Sequence, residues 1–170
     1  FLETSDDAQS VILEAFKDNH ASVRMKAAEI AKEKKLTKAM PYLIYRAKND
    51  SDKKIVYECY NAIAKINTLE SVEFLDTIIK NKNINETARA KAVEAVLEYR
   101  VLDSYDAIEE VVLITLKDDK LKNLRYAIGK AIANIAIYNG GKVYYIDDVE
   151  IVVNNFKEIF EDKTIKKCGY

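Results

Sequence analysis

Apolar residues recur at helical spacing along most of this chain, and short polar clusters break the pattern at regular intervals. Val11, Ile12, Ala15 and Phe16 form a first stripe that stops at Asp18-Asn19-His20. Ser22 opens a second stripe of Val23, Ala27, Ile30 and Ala31. The same helix–turn–helix pattern follows three more times. After Thr37 the first stripe runs through Met40, Leu43 and Ile44, and Asn49 to Asp52 form the turn. Ile55, Cys59, Ala62, Ile63 and Ile66 then mark the second helix. Val72, Leu75, Ile78 and Ile79 precede Ala88, Ala92, Val93, Val96 and Leu97. Ile108, Val111, Val112 and Leu116 precede a long segment from Lys120 to Tyr138, which Asn139-Gly140-Gly141 is expected to stop.

These helix pairs are copies of one another. Val23–Ala31 recurs at Ile55–Ile63, Ala88–Val96 and Leu124–Ile132, with starts 32, 33 and 36 residues apart. A self-similar period of this length marks a stacked-repeat architecture. Two helices alone leave apolar stripes uncovered, and stacking neighbouring pairs buries them. Four repeats are therefore predicted at residues 6–35, 37–67, 69–100 and 104–139, with a terminal helix at 147–162 carrying Val149, Val152, Val153, Phe156 and Phe160. Lys142 to Ile146 has strand-like composition but is short, and reads as an extended connector packed on the last repeat.

Composition supports a helical reading. The 170 residues hold only 4 Gly and 1 Pro, too few breakers for a chain of many short strands. The net charge of −1 comes from interleaved acids and bases, without the basic stripe expected of a nucleic-acid binder. No apolar run reaches membrane-spanning length, and no signal peptide is visible. The opening Phe1-Leu2-Glu3 lacks a starting Met, which suggests a segment of a longer chain. The compartment is not legible, and the cytoplasm is the default expectation.

Aligning the copies separates structural from variable columns. One column reads Arg24, Val56, Arg89 and Arg125, and six residues earlier stand Asp18, Asp50, Asn83 and Asp119. Acceptors at the turns can satisfy the orphan N–H groups of the second helices or meet a neighbouring Arg, forming a ladder that joins repeats. The column Met25, Tyr57, Ala90 and Tyr126 is expected to be exposed.

The Asp–Arg spacing, the Val23-Arg24…Ala27-Ala28 core and the Ala39-Met40-Pro41-Tyr42-Leu43 segment resemble HEAT repeats, in particular the short PBS-lyase HEAT-like, armadillo-related variety, over roughly residues 6–138. Tetratricopeptide repeats have a similar length, but their Trp and Pro signposts are missing. The resemblance implies an all-α fold, a right-handed α-α superhelix or α-solenoid. It also implies that the second helices line a concave face that often grips a partner. On that face Tyr57, Asn61, Glu94, Tyr126 and Lys130 are the candidate partner-binding residues.

Enzyme chemistry finds no foothold in the sequence. His20 is the only histidine and sits in a polar turn. Cys59 occupies a core position and Cys168 a tail, so neither suits a nucleophile, a CxxC pair or a metal site. The carboxylate pairs Asp6-Asp7, Asp118-Asp119 and Asp147-Asp148 fall at helix starts or turns, where they favour the helix dipole, and Glu109-Glu110 lies within a helix. No cofactor or metal is expected. The leading expectation is a non-catalytic scaffold that binds another protein. Other HEAT-like solenoids grip DNA, as a class of alkylpurine glycosylases does, or serve bilin attachment. The alternating charge argues against the first, and no pocket or reactive set supports the second.

Overall fold

In the computed structural model the described residues are 5–133, 137–139, 142–144 and 166–167. They form eight α-helices and three short strands. The helices are α1 (Asp6–Ala15), α2 (Ala21–Lys34), α3 (Met40–Asn49), α4 (Lys53–Ile66), α5 (Leu69–Lys80), α6 (Glu86–Tyr99), α7 (Tyr105–Lys117) and α8 (Lys122–Ala133). They follow one another as the four predicted pairs. The chain divides into two compact units, Phe1–Phe74 and Leu75–Tyr170, with the boundary inside α5.

Local chemistry accounts for the helix ends. Ser5 caps α1 by accepting from Ala8 N–H, Asp52 caps α4 through Lys54 N–H, and Asn85 caps α6 through Ala88 N–H. Thr68 and Ser71 exchange hydrogen bonds ahead of α5, each side-chain oxygen accepting from the other's backbone N–H. Pro41 falls in the first turn of α3, where its missing N–H leaves no helical bond unmade. The second helices α2, α4 and α6 each stop at a left-handed residue: Lys35 (φ 48°), Asn67 (φ 55°) and Arg100 (φ 55°).

In the first unit α1 packs on α2, α3 on α4, and α2 on α4. Phe16, Met40, Leu43, Ile55 and Ile63 are buried between these helices, with Ala27, Ala28 and Ala31 where the two second helices approach. In the second unit α7 packs on α8, and the second helices α6 and α8 lie together. Leu75, Ile79, Ile108, Leu124 and Ile128 are buried there, beside Ala92, Val93 and Val96. Each unit thus has the packing of an α-solenoid. First helices pack on second helices, and second helices pack on second helices, so both stripes of a pair are covered. Among the described residues no helix is long and apolar enough to cross a membrane.

The predicted helix from Lys120 to Tyr138 is shorter than expected. A 3-10 turn occupies Asp119–Leu121, α8 ends at Ala133, and Ile137–Asn139 is a strand, β1. It pairs antiparallel with β2 (Lys142–Tyr144), Tyr138 opposite Val143, and with β3 (Lys166–Lys167), in the order β2-β1-β3. Lys142–Tyr144 is therefore a strand of a small sheet and not an unpaired connector. Ile137, Tyr138, Val143 and Tyr144 are β-branched or aromatic, residue types that favour extended pairing once a neighbouring strand is present. The last predicted repeat accordingly ends before 139. The proposed stop at Gly140-Gly141 and the terminal helix at 147–162 lie outside the described residues.

Candidate functional site

The charged column was expected to join repeats, and in the first unit one member does so. Arg24 rises from α2 and holds Asp50, the residue that follows α3, in a two-pronged pair: Nε–Oδ2 2.7 Å and Nη2–Oδ1 2.9 Å. Its remaining Nη1 donates to the carbonyls of Asp18 and Asn19 at 2.9 and 3.0 Å. Both side chains are enclosed, 9% and 0% exposed. The Asp50 carboxyl is held below the usual range first by the hydrogen bond from Arg24, then by the Asp52 N–H, against the opposing effect of burial. Asp50 Oδ1 also takes the Asp52 N–H at 3.0 Å, so one carboxylate ties the turn and the neighbouring repeat. Arg46, one turn before Asp50 on α3, donates to the Phe16 carbonyl at 2.6 Å and stands 3.7 Å from Asp50 Oδ2. Arg46 escaped the sequence reading, although its i,i+4 spacing to Asp50 was a usable signal.

In the second unit the same column does something else. Arg89 Nε donates to the Ile79 carbonyl at 2.8 Å, and Arg125 Nη1 to the Thr115 carbonyl at 2.8 Å. Both arginines satisfy a late carbonyl of the preceding first helix. Asn83 is an exposed residue whose N–H donates to Asn81 Oδ1 at 2.9 Å, and Lys120 N–H donates to Asp118 Oδ1 at 2.9 Å. The turn acceptors are thus Asn81 and Asp118, where the fixed six-residue spacing pointed to Asn83 and Asp119. Asp119 is fully exposed and 3.9 Å from Arg125 Nη2. Asp18 plays the turn role in the first repeat, accepting from the His20 N–H at 2.7 Å and facing His20 Nδ1 at 2.9 Å.

The candidate partner-binding residues lie on second helices. On α4, Tyr57 and Asn61 are half-buried. Asn61 Nδ2 donates to Glu58 Oε2 at 3.3 Å, and Glu58 Oε1 meets Lys32 of α2 at 2.6 Å. The Tyr57 ring lies 6.2 Å from that of Tyr60, whose hydroxyl burial raises to about 12. On α6, Glu94 pairs with Lys91. A shallow groove of about 280 Å³ runs between α6 and α8, with Glu94 and Lys130 on its two walls and Ala90 and Ala127 between them. Tyr126, one turn before Lys130, is 71% exposed. The column Met25, Tyr57, Ala90, Tyr126 is not uniformly open: Met25 and Tyr57 are half-buried and Ala90 is buried, because adjacent second helices cover one another.

Cys59 is fully enclosed, and burial pushes its thiol far above the usual range, which leaves it a core residue without a thiolate to offer. Cys168 and Asp147-Asp148 lie outside the described residues. Among the described residues no three His, Cys, Asp or Glu side chains gather as a metal site.

Compared with known protein families, residues 9–97 match the family described as HEAT repeats. No curated protein and no solved structure matches the chain. The match covers more than half of the chain, over the stretch that carries the Arg24–Asp50 bridge and the repeated helix pairs; the chain belongs to the HEAT-repeat family.

Proposed function

We propose that this chain is a non-catalytic scaffold that holds a protein partner on the face of its second helices. HEAT repeats are commonly protein-interaction scaffolds, and membership alone points to that class. The observation that carries the finer reading is Tyr126. It is a large aromatic side chain left 71% exposed, one helical turn from Lys130, which lines the α6–α8 groove together with Glu94. Tyrosine offers apolar area with a polar tip, at little entropy cost, and is enriched where proteins bind. Lys91, Glu94 and Lys130 give that groove both signs of charge, and Lys32 and Glu58 pair on the second helices of the first unit. Such a face complements a mixed protein surface better than a phosphate backbone. Tyr57 and Asn61 are the corresponding contacts of the first unit.

The test is quantitative capture of interacting proteins on immobilised chain, comparing wild type with Tyr126→Ala, Lys130→Ala and Tyr57→Ala. At least one specific partner should bind about tenfold more weakly to Tyr126→Ala, while the helical circular dichroism is unchanged. A partner that binds all three variants as tightly as wild type removes this face from consideration. Saturable, salt-sensitive binding of duplex DNA at low salt would instead favour a nucleic-acid role.

A further inference from the structure

Arg24 and Arg89 stand at the same point of their repeats, yet only Arg24 meets an acid. Met40 follows Arg24 by the same interval as Tyr105 follows Arg89, so α3 and α7 begin in the same register. In both repeats the acid comes directly after the helix, as Asp50 and Asp118. But α3 has 10 residues and α7 has 13. The difference carries Asp118 about 4.5 Å further along the helix axis and most of a turn around it. The residue left in the register of Asp50 is Thr115, which is buried and donates its hydroxyl to the Val112 carbonyl at 2.7 Å. It offers no charge to a guanidinium.

Arg89 is nevertheless buried, 6% exposed. Its Nε is bound to Ile79, while neither Nη has a hydrogen-bond partner among the described residues. The side chain lines a cavity of about 570 Å³ that residues of α5, α6, α7, α8 and the turns between them enclose, with Ile84, Ile114 and Leu121 among its apolar residues and Lys80 and Lys82 as its other cations. That volume suits one or two side chains, and the lining combines an apolar group of residues with charged and amide side chains. Three acids also line it, and two are engaged elsewhere. Glu110 meets Lys80 at 2.8 Å, and Asp118 accepts the Lys120 N–H. Glu86, in the first turn of α6, attracts Arg89 through space without a hydrogen bond to it. Burial also lowers the Arg89 guanidinium from its usual range, with Glu86 acting in the opposite direction.

We infer that this cavity is a docking pocket for a peptide carboxylate, with the two Nη groups of Arg89, which the Ile79 bond leaves open, gripping the acid end-on, and Ile84, Ile114 and Leu121 receiving an adjacent apolar side chain. The site is separate from the second-helix face and does not depend on it. A partner supplies from outside the acid that the longer α7 has carried out of reach.

The experiment is a titration of the ¹⁵N-labelled chain with a capped Leu-Glu-Leu tripeptide, its capped Leu-Gln-Leu counterpart, and Leu-Gln-Leu with a free C-terminus. The capped Glu peptide should shift the Arg89 Nε–H and the amides of Ile84, Ile114 and Leu121 saturably, and bind at least tenfold more tightly than its capped Gln counterpart. A response confined to the free C-terminus identifies a terminal carboxylate as the ligand and still supports the pocket. Arg89→Met should abolish the response. Thr115→Asp, which places an internal acid in the register of Asp50, should also abolish it. Because Thr115→Asp can disturb a buried site, Arg89→Met decides if that variant is unfolded. Equal, measurable binding of the two capped peptides, no shift with any peptide, or an undiminished response in folded Arg89→Met would overturn the inference.

Discussion

The two units hold an arginine at the same repeat position and use it differently. In the first, all three guanidinium nitrogens of Arg24 are engaged, two of them by a fully enclosed carboxylate. In the second, Arg89 closes one helix carbonyl and otherwise faces a cavity. A difference of three residues between α3 and α7 separates a structural joint from a guanidinium that faces a cavity. The repeat motif specifies that a guanidinium stands beside the turn. The length of the helix that follows specifies whether the chain itself neutralises that charge. A departure from strict repetition is therefore where a repeat protein can acquire a site, because the regular copies consume their own polar groups.

The largest expected break in this comparison comes from cutting the buried pair. Arg24→Met leaves the Asp50 carboxylate enclosed without its main partner, and should destabilise the first unit by about 3–5 kcal/mol in urea unfolding. The double variant Arg24→Met with Asp50→Leu should recover much of that loss, since the penalty lies in the orphaned charge. Arg89→Met orphans only the Ile79 carbonyl and should cost about 1–2 kcal/mol. Equal losses for the two single variants would show that the Arg24 bridge contributes no more than helix capping.

Acid sharpens the contrast through carboxylates of opposite behaviour. The Asp50 carboxyl lies below its ordinary value of 3.8, so its contribution is complete above that value and is lost as pH falls below it through the folded-state value. Asp76, in the second unit, is shifted upward mainly by burial, with the nearby Ser104 hydroxyl acting in the opposite direction. Its ionisation opposes folding at neutral pH, and that penalty is relieved as pH falls through its raised value toward 3.8. The stability deficit of Asp50→Asn should therefore shrink below pH 3.8, whereas any advantage of Asp76→Asn at neutral pH should vanish in acid. Urea midpoints of both variants between pH 7 and 3 check the two signs.

The smallest effects test what the units share. Lys35 and Arg100 end their helices in the left-handed region, where a Cβ is unfavourable. Lys35→Gly and Arg100→Gly should each stabilise by roughly 0.5–1 kcal/mol, and Asn67→Gly by less, since asparagine tolerates that conformation. Thermal unfolding should show similar gains for the first two variants. A gain in one unit and a loss in the other would mean that the helix ends are not equivalent.

Helix pairing was legible because its signals are local. Stripes such as Ile55, Cys59, Ala62 and Ile63, with the polar breaks between them, place the first three helix pairs within a few residues of where they stand. The caps Ser5 and Asp52 belong to the same short-range chemistry. Failures came where a local signal needed a distant reference. Asn81 and Asn83 are both good turn residues, and which one accepts depends on how the turn closes. Ile137 and Tyr138 continue an apolar run that suits a helix until β2 and β3 offer strand partners.

By itself, then, the sequence determined a chain of HEAT-type helix pairs with alanine-rich contacts between second helices, since amphipathic period and turn chemistry are written within one or two turns of helix. Only the tertiary structure decided the rest: that Arg24 finds Asp50, that Arg89 does not find Asp118, that Ala90 is covered and Tyr126 is not. Each of these depends on a three-dimensional distance between segments many residues apart, and one turn of α7 is enough to change it.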